Sequence, residues 1–184
     1  MSRPTHILKH EHRVIEQGLR ALDGMCLNLK TGGDVPPETM RQILGFIQNF
    51  AERFHHTKEE KHLFPALSPN LLQKNGEALR FLMEEHETER ALIAELESAI
   101  GEYRHGDAAA IDRFIKAANQ YCDHLVGHIR QEEGILFRLA EEVLDETVKA
   151  SLIKSFAQEN AQSGDGIVAR YERLADELEK NWAV

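Results

Sequence analysis

Apolar positions along this chain recur every three or four residues, the period that puts side chains on one face of an α-helix. Ile7, Leu8, Val14, Ile15, Leu19 and Leu22 mark a first helix, with Thr5 as its cap and an end near Gly32-Gly33. Asp34-Val35-Pro36-Pro37 restarts the chain, and Met40, Ile43, Leu44, Ile47, Phe50, Ala51 and Phe54 mark a second helix. That helix is expected to break at Phe64-Pro65. Pro69 to Gly76 reads as a connection. Leu79, Leu82, Met83, Leu92, Ile93 and Leu96 mark a third helix, ending near His105-Gly106. Asp107 caps a fourth, carrying Ile111, Phe114, Ile115, Ala118, Tyr121, Leu125, Ile129, Leu136 and Phe137. Beyond Asp145 lies a fifth helical stretch. Ser163-Gly164-Asp165-Gly166 is expected to interrupt it before Ile167, Val168, Tyr171, Leu174 and Leu178. Strand signals are missing. The expectation is an all-α protein: an antiparallel up-down four-helix bundle over residues 1–143, with a C-terminal helical extension over residues 144–184 packed on it.

Composition narrows the function. Asp plus Glu is 31 against 22 Lys plus Arg, a net charge of −9, which argues against nucleic acid or an anionic membrane as partner. The two cysteines, Cys26 and Cys122, form no CxxC, which excludes a disulfide scaffold and a thiolate zinc site. Both read as packing residues. No run of about 18 apolar residues could span a membrane, and Met1 to His6 carries no apolar stretch of a signal peptide. A cytoplasmic protein is expected, with homo-oligomerisation left open.

Ten histidines in 184 residues are many, and they reveal a repeat. Leu8-x-x-Glu11-His12 in the first helix matches Leu82-x-x-Glu85-His86 in the third. His55-x-x-x-Glu59-Glu60-x-x-Leu63-Phe64 in the second matches His128-x-x-x-Glu132-Glu133-x-x-Leu136-Phe137 in the fourth. The offset is 74 residues from His12 to His86 and 73 from His55 to His128. The same helical hairpin thus occurs twice, which points to a site on a pseudo-twofold axis. The second helix offers two pairs at i, i+4 spacing, His55/Glu59 and His56/Glu60. Only His55/Glu59 keeps the offset, so it is preferred, with His56/Glu60 as the alternative. One residue turns a helix by about 100°, so both pairs are not expected to point into one core.

The inward candidates are His12, His55, Glu59, His86, His128 and Glu132. Four imidazoles and two carboxylates are too few for two separate metal sites but suffice for two metals that share both carboxylates. Imidazole plus carboxylate without thiolate suits iron, manganese or zinc. Ligand imidazoles donate their other N–H to a carboxylate or carbonyl, and Glu11, Glu60, Glu85 and Glu133 sit close enough in sequence to accept. His6, His10, His62, His105 and His124 read as ordinary surface or hydrogen-bonded residues. Arg90 reads as solvated or paired to a carboxylate, and Trp182 as an anchor for the last helix. His86-Glu87-Thr88-Glu89-Arg90 lacks the second histidine of HExxH. No Walker loop, GxGxxG or GxSxG occurs, and no separate catalytic constellation is visible.

On these residues the sequence resembles the hemerythrin-like, or HHE cation-binding, family over roughly residues 5 to 142. The resemblance implies a four-helix bundle around two iron ions, a non-haem di-iron centre bridged by two carboxylates and an oxo or hydroxo group, with zinc or manganese also fitting the ligand types. It implies as metal ligands His12, His55, Glu59, His86, His128 and Glu132. Family members bind oxygen, sense oxygen or iron, handle nitric oxide, or support repair of iron–sulfur clusters. Oxygen carriers use five histidines, two of them one turn apart in the third helix. Leu82 and Arg90 occupy the positions either side of His86, so a four-His, two-Glu set is more similar to the repair proteins. The expected function is binding or sensing of a small diatomic ligand, O₂ or NO. The alternative is a di-iron enzyme or iron donor in stress defence and cluster repair.

Overall fold

The structure is a computed structural model that describes residues 3–71, 76–103, 107–164 and 166–183. His105 lies outside the described residues. Six helices account for nearly all of them: α1 (Pro4–Lys30), α2 (37–71), α3 (Gly76–Glu102), α4 (108–143), α5 (Glu146–Gln162) and α6 (Ile167–Trp182). No strand occurs among the described residues.

Local chemistry sets most boundaries. The Asp107 carboxylate accepts the free N–H groups of Ala109 and Ala110, and Asp145 accepts that of Val148. Gly164 and Gly166 take φ of 109° and 71°, a left-handed turn that side chains resist, and α6 starts just beyond. Two expectations are corrected. Thr5 is not a cap: α1 starts at Pro4 without a side-chain cap, and the Thr5 hydroxyl donates to Glu141 instead. Pro65 does not end α2, which continues to Leu71. Just before the proline the helix widens into a π turn, Glu59–Leu63, in which the Phe64 N–H reaches back to the Glu59 carbonyl. The turn before the proline has already left the i→i−4 pattern that a proline interrupts.

Apolar side chains form two buried clusters. The larger contains Val14, Phe54, Ile93, Leu125 and Ile129, and the smaller contains Leu8, Leu63, Leu82 and Leu136. Along α1 and α3 the chain passes from the smaller cluster to the larger; along α2 and α4 it passes from the larger to the smaller. Direction therefore alternates, as in an up-down bundle. The C-terminal helices serve both clusters: Leu152 and Phe156 of α5 join the smaller, and Tyr171, Ala175 and Leu178 of α6 join the larger. The approach of α6 to α1 is close enough to require glycine. A Cβ on Gly24 would lie 1.8 Å from the Trp182 carbonyl oxygen. Met83, expected on the inner face of α3, is half exposed.

Candidate metal centre

Between the two apolar clusters lies a polar layer, and each bundle helix supplies one stretch of it: Glu11 and His12, then His55, His56 and Glu59, then His86 and Glu89, then His128 and Glu132. All nine side chains are essentially without solvent exposure. Two of the helices reach the layer through a π turn. Glu59–Leu63 in α2 has its counterpart in Glu132–Leu136 of α4, where the Phe137 N–H bonds the Glu132 carbonyl. At these two turns the 73-residue offset of the repeat is kept in the backbone as well as in the side chains. Each of these two turns opens on a buried carboxylate, and a further π stretch in α2, Ile47–His56, carries His55 and His56; such turns gather at functional sites. The repeat extends to the aromatic covers. Phe137 stacks on His12 with ring centres 5.3 Å apart, and Phe64 stacks on His86 at 5.6 Å.

The side chains converge as two groups that could each hold a cation, one of His12, His55, Glu59 and Glu132, the other of His56, His86, His128 and Glu59. The structure therefore brings together all six residues singled out in the sequence. Each shared carboxylate turns one oxygen to each group. Glu59 Oε1 lies 3.6 Å from His55 Nε2, while Oε2 lies 3.7 Å from His86 Nε2. Glu132 Oε2 lies 3.2 Å from His12 Nε2, while Oε1 lies 3.3 Å from His128 Nε2. The His86 and His128 Nε2 atoms face each other at 3.1 Å.

His56 is the addition. The one-residue rotation was expected to keep His55 and His56 from sharing a core, yet both are buried here. The expectation treats the site as a single point. The site has two poles, and the adjacent imidazoles diverge to one each, with ring centres 5.7 Å apart. Glu60, the other member of the alternative pair, stays at the edge, bonded to Arg90 and to His86 Nδ1. The signal for His56 was present in the sequence as Glu52, one turn earlier.

Every converging imidazole turns its Nδ1 outward to a carboxylate. His12 meets Glu133 at 3.0 Å, His55 meets Glu11 at 3.0 Å, His56 meets Glu52 at 2.8 Å, His86 meets Glu60 at 2.7 Å and His128 meets Glu85 at 3.0 Å. This fixes ring orientation and leaves Nε2 as the free ligand atom. Four of the five are the glutamates read from sequence. A third layer of cations holds most of them in turn: buried Lys58 bonds Glu11, Arg13 bonds Glu133, and Arg90 bonds both Glu52 and Glu60. Arg90 is thus paired to carboxylates.

Burial and mutual charge split the acids. Burial, then the neighbouring Glu132, drives the Glu59 carboxyl well above its usual range. Glu132 is buried too, but the imidazoles of His128 and His12 hold it well below. Burial pushes Glu89 up to about 8. Against burial, Glu132 and Glu85 lift His128 to about 12. Both oxygens of Glu59, Glu89 and Glu132, and the Nε2 atoms of His12 and His55, have no hydrogen-bond partner. Buried carboxylates without donors are costly. Their convergence with free imidazole nitrogens fits a metal, and the absence of thiolate with carboxylates present fits iron, manganese or zinc.

The remaining histidines lie elsewhere. His62 bonds Glu159 at 2.9 Å, His10 bonds Glu172, and His6 is exposed. His124 is the exception, since its half-buried imidazole reaches the Glu85 carbonyl. Cys26 is buried, with its thiol pushed up to about 12 by desolvation, so it is an inert packing residue. Trp182 packs against the larger cluster.

Comparison with known proteins agrees with this geometry. The family model described as hemerythrin HHE cation binding domain matches residues 3–140 and again 77–181. The chain is 26% identical over 137 residues to the iron-sulfur cluster repair protein DnrN of Neisseria gonorrhoeae, covering 72% of this chain and 85% of that protein. No solved structure gives a significant match. No helix among the described residues is long and apolar enough to cross a membrane.

Proposed function

The chain belongs to the hemerythrin HHE cation-binding domain family, and on that premise we propose that its polar layer holds two iron ions and presents them to a small diatomic ligand, O₂ or NO. His12 and His55 would hold one ion, and His56, His86 and His128 the other, with Glu59 and Glu132 shared. One observation carries the reading: each shared carboxylate offers one unpartnered oxygen to each histidine group. Iron there would supply electrons and coordination positions for a diatomic ligand. The chain's own residues do the rest. The five outward carboxylates fix the imidazoles, Phe64 and Phe137 cover two of them, and the flanking apolar clusters keep bulk water out.

A second reading, supply of iron to damaged iron–sulfur clusters, is supported by the likeness to a protein named for that repair. The two readings are separated by two assays on the iron-loaded, reduced protein. Exposure to O₂ or NO should change its visible spectrum reversibly, with iron content unchanged. Loss of iron to an apo-cluster protein, without a stable spectral change, would favour the second reading. No response in either assay would defeat both.

A further inference from the structure

The repeat makes its two halves comparable position by position, and the surroundings of the centre break that symmetry on one side. Glu11 and Glu85 are counterparts, each accepting from an imidazole Nδ1. Behind Glu11 stands the ammonium of Lys58; at the corresponding place behind Glu85 stands the neutral amide of Gln131, at 3.5 Å. Two further positions differ on the same side. Ile15 of the larger apolar cluster corresponds to Glu89, and Ala51 corresponds to His124. The α1–α2 side is thus closed by apolar groups and a lysine, whereas the α3–α4 seam carries an acid, an imidazole and an amide.

These three residues connect the centre with the surface. Glu89 is fully buried, and neither oxygen has a hydrogen-bond partner. Its Oε2 lies 3.3 Å from His56 Nε2 and its Oε1 lies 3.5 Å from His124 Nε2. The carboxylate therefore spans from the three-histidine group to an outer imidazole, in the posture Glu59 and Glu132 take within the centre. The His124 side chain is 22% exposed, while the five inner imidazoles are at most 2% exposed. The other outward carboxylates carry cations: Lys58 on Glu11, Arg13 on Glu133, and Arg90 on Glu52 and Glu60. Those cations repel an approaching metal ion. At Glu85 no lysine or arginine stands within ion-pair distance among the described residues.

We propose that Glu89 and His124 form an outer cation site in the α3–α4 seam, through which a divalent metal passes to and from the three-histidine group. An incoming ion exchanges water for Glu89 Oε1 and for His124 Nε2, which gives up its hydrogen bond to the Glu85 carbonyl as the imidazole proton shifts to Nδ1 through solvent, and then moves to the far oxygen of the same carboxylate beside His56. No redox step is involved; the ion changes ligands and keeps its charge. The proposal rests on the two-metal reading above.

The test uses Fe(II) loading and its release to a coloured chelator, followed by absorbance. Carboxylates lining a cleft raise cation capture by tenfold or more. Glu89→Gln and His124→Ala should each slow both loading and release about tenfold, with two irons per chain still bound at saturation. Gln131→Lys should slow both by a similar factor, because it places on this side the ammonium that guards the other. His62→Ala is the control and should match the wild type. Wild-type rates in Glu89→Gln and Gln131→Lys, with two irons bound, would overturn the passage. Loss of one iron at saturation in Glu89→Gln would overturn it differently, by making Glu89 a ligand of the centre itself. A wild-type content other than two metals would instead defeat the reading of the centre beneath.

Discussion

Glu59 and Glu132 are counterparts in the repeat, yet in the metal-free chain burial and the neighbouring charge push the Glu59 carboxyl well above its usual range, while the imidazoles hold Glu132 well below. Glu132 faces His12 and His128 at short range, while Glu59 has the weaker contacts and the charge of Glu132 beside it. Metal removes the difference, since both oxygens of both groups then have a cation to face. Replacing either carboxylate leaves the two ions only one shared carboxylate. Glu59→Ala and Glu132→Ala should each bind at most one metal per chain, while His62→Ala keeps the wild-type content; elemental analysis of the three would show it. The outer carboxylates act at one remove. Glu52→Gln and Glu60→Gln should weaken metal binding by about 10- to 100-fold, measured by competition with a chelator. The pH dependence follows from protons that the folded, metal-free chain retains and the unfolded chain has lost. Between about pH 6.5 and 8 the folded chain still holds them on Glu89 and His128, whose ordinary values are 4.5 and 6.5. Stability must then fall as pH rises through that window. Below it, His55 and His56 work in the other direction, because burial lowers both. The metal-free protein should therefore lose melting temperature from pH 6.5 to 8, and the loaded protein should not. A metal-free melting temperature that climbs over this range would contradict the assignment. At this scale the sequence was legible wherever the repeat spoke: His12, His55, Glu59, His86, His128 and Glu132 all reach the layer. His56 and Glu89 have no counterpart in the other half, where Ile129 and Ile15 stand. An offset argument cannot see a residue that breaks the offset.

The helices were legible from apolar spacing because each buries one face, and Asp107 and Asp145 mark their starts chemically. The π turns were not. A π turn needs one extra residue per turn, and nothing in Glu-Glu-x-x-Leu-Phe announces it; only packing in the bundle selects it. Pro65 was misread for the same reason, since its cost depends on the hydrogen-bond pattern of the turn before it, and that turn is a π turn. Helix approach is also set by packing. A Cβ on Gly18 would lie 2.4 Å from the buried Phe46 ring, and one on Gly24 would meet backbone of α6. Neither neighbour is a flexible tip that can swing away. Gly18→Ala and Gly24→Ala should each destabilise the fold by about 1–3 kcal/mol, read from urea denaturation. In Gly24→Ala the fluorescence of Trp182 should also change, because α6 must move.

Across the whole molecule, two apolar clusters hold a layer of acids and imidazoles that is costly to bury without a cation. Seven carboxylates lie in or around the centre besides Glu89: Glu59 and Glu132 within it, and Glu11, Glu52, Glu60, Glu85 and Glu133 on the imidazoles. Three cations, Lys58, Arg13 and Arg90, answer them. With Glu89 the acids outnumber these cations, so the layer favours bound cations. Binding energy at such a site is folding energy, so chelation should lower the melting temperature and restoring Fe(II) should recover it. The most direct test is metal content per chain, by elemental analysis of protein purified without added metal or a polyhistidine tag. The account predicts two irons per chain. A folded chain that carries none and refuses added Fe(II) would contradict it.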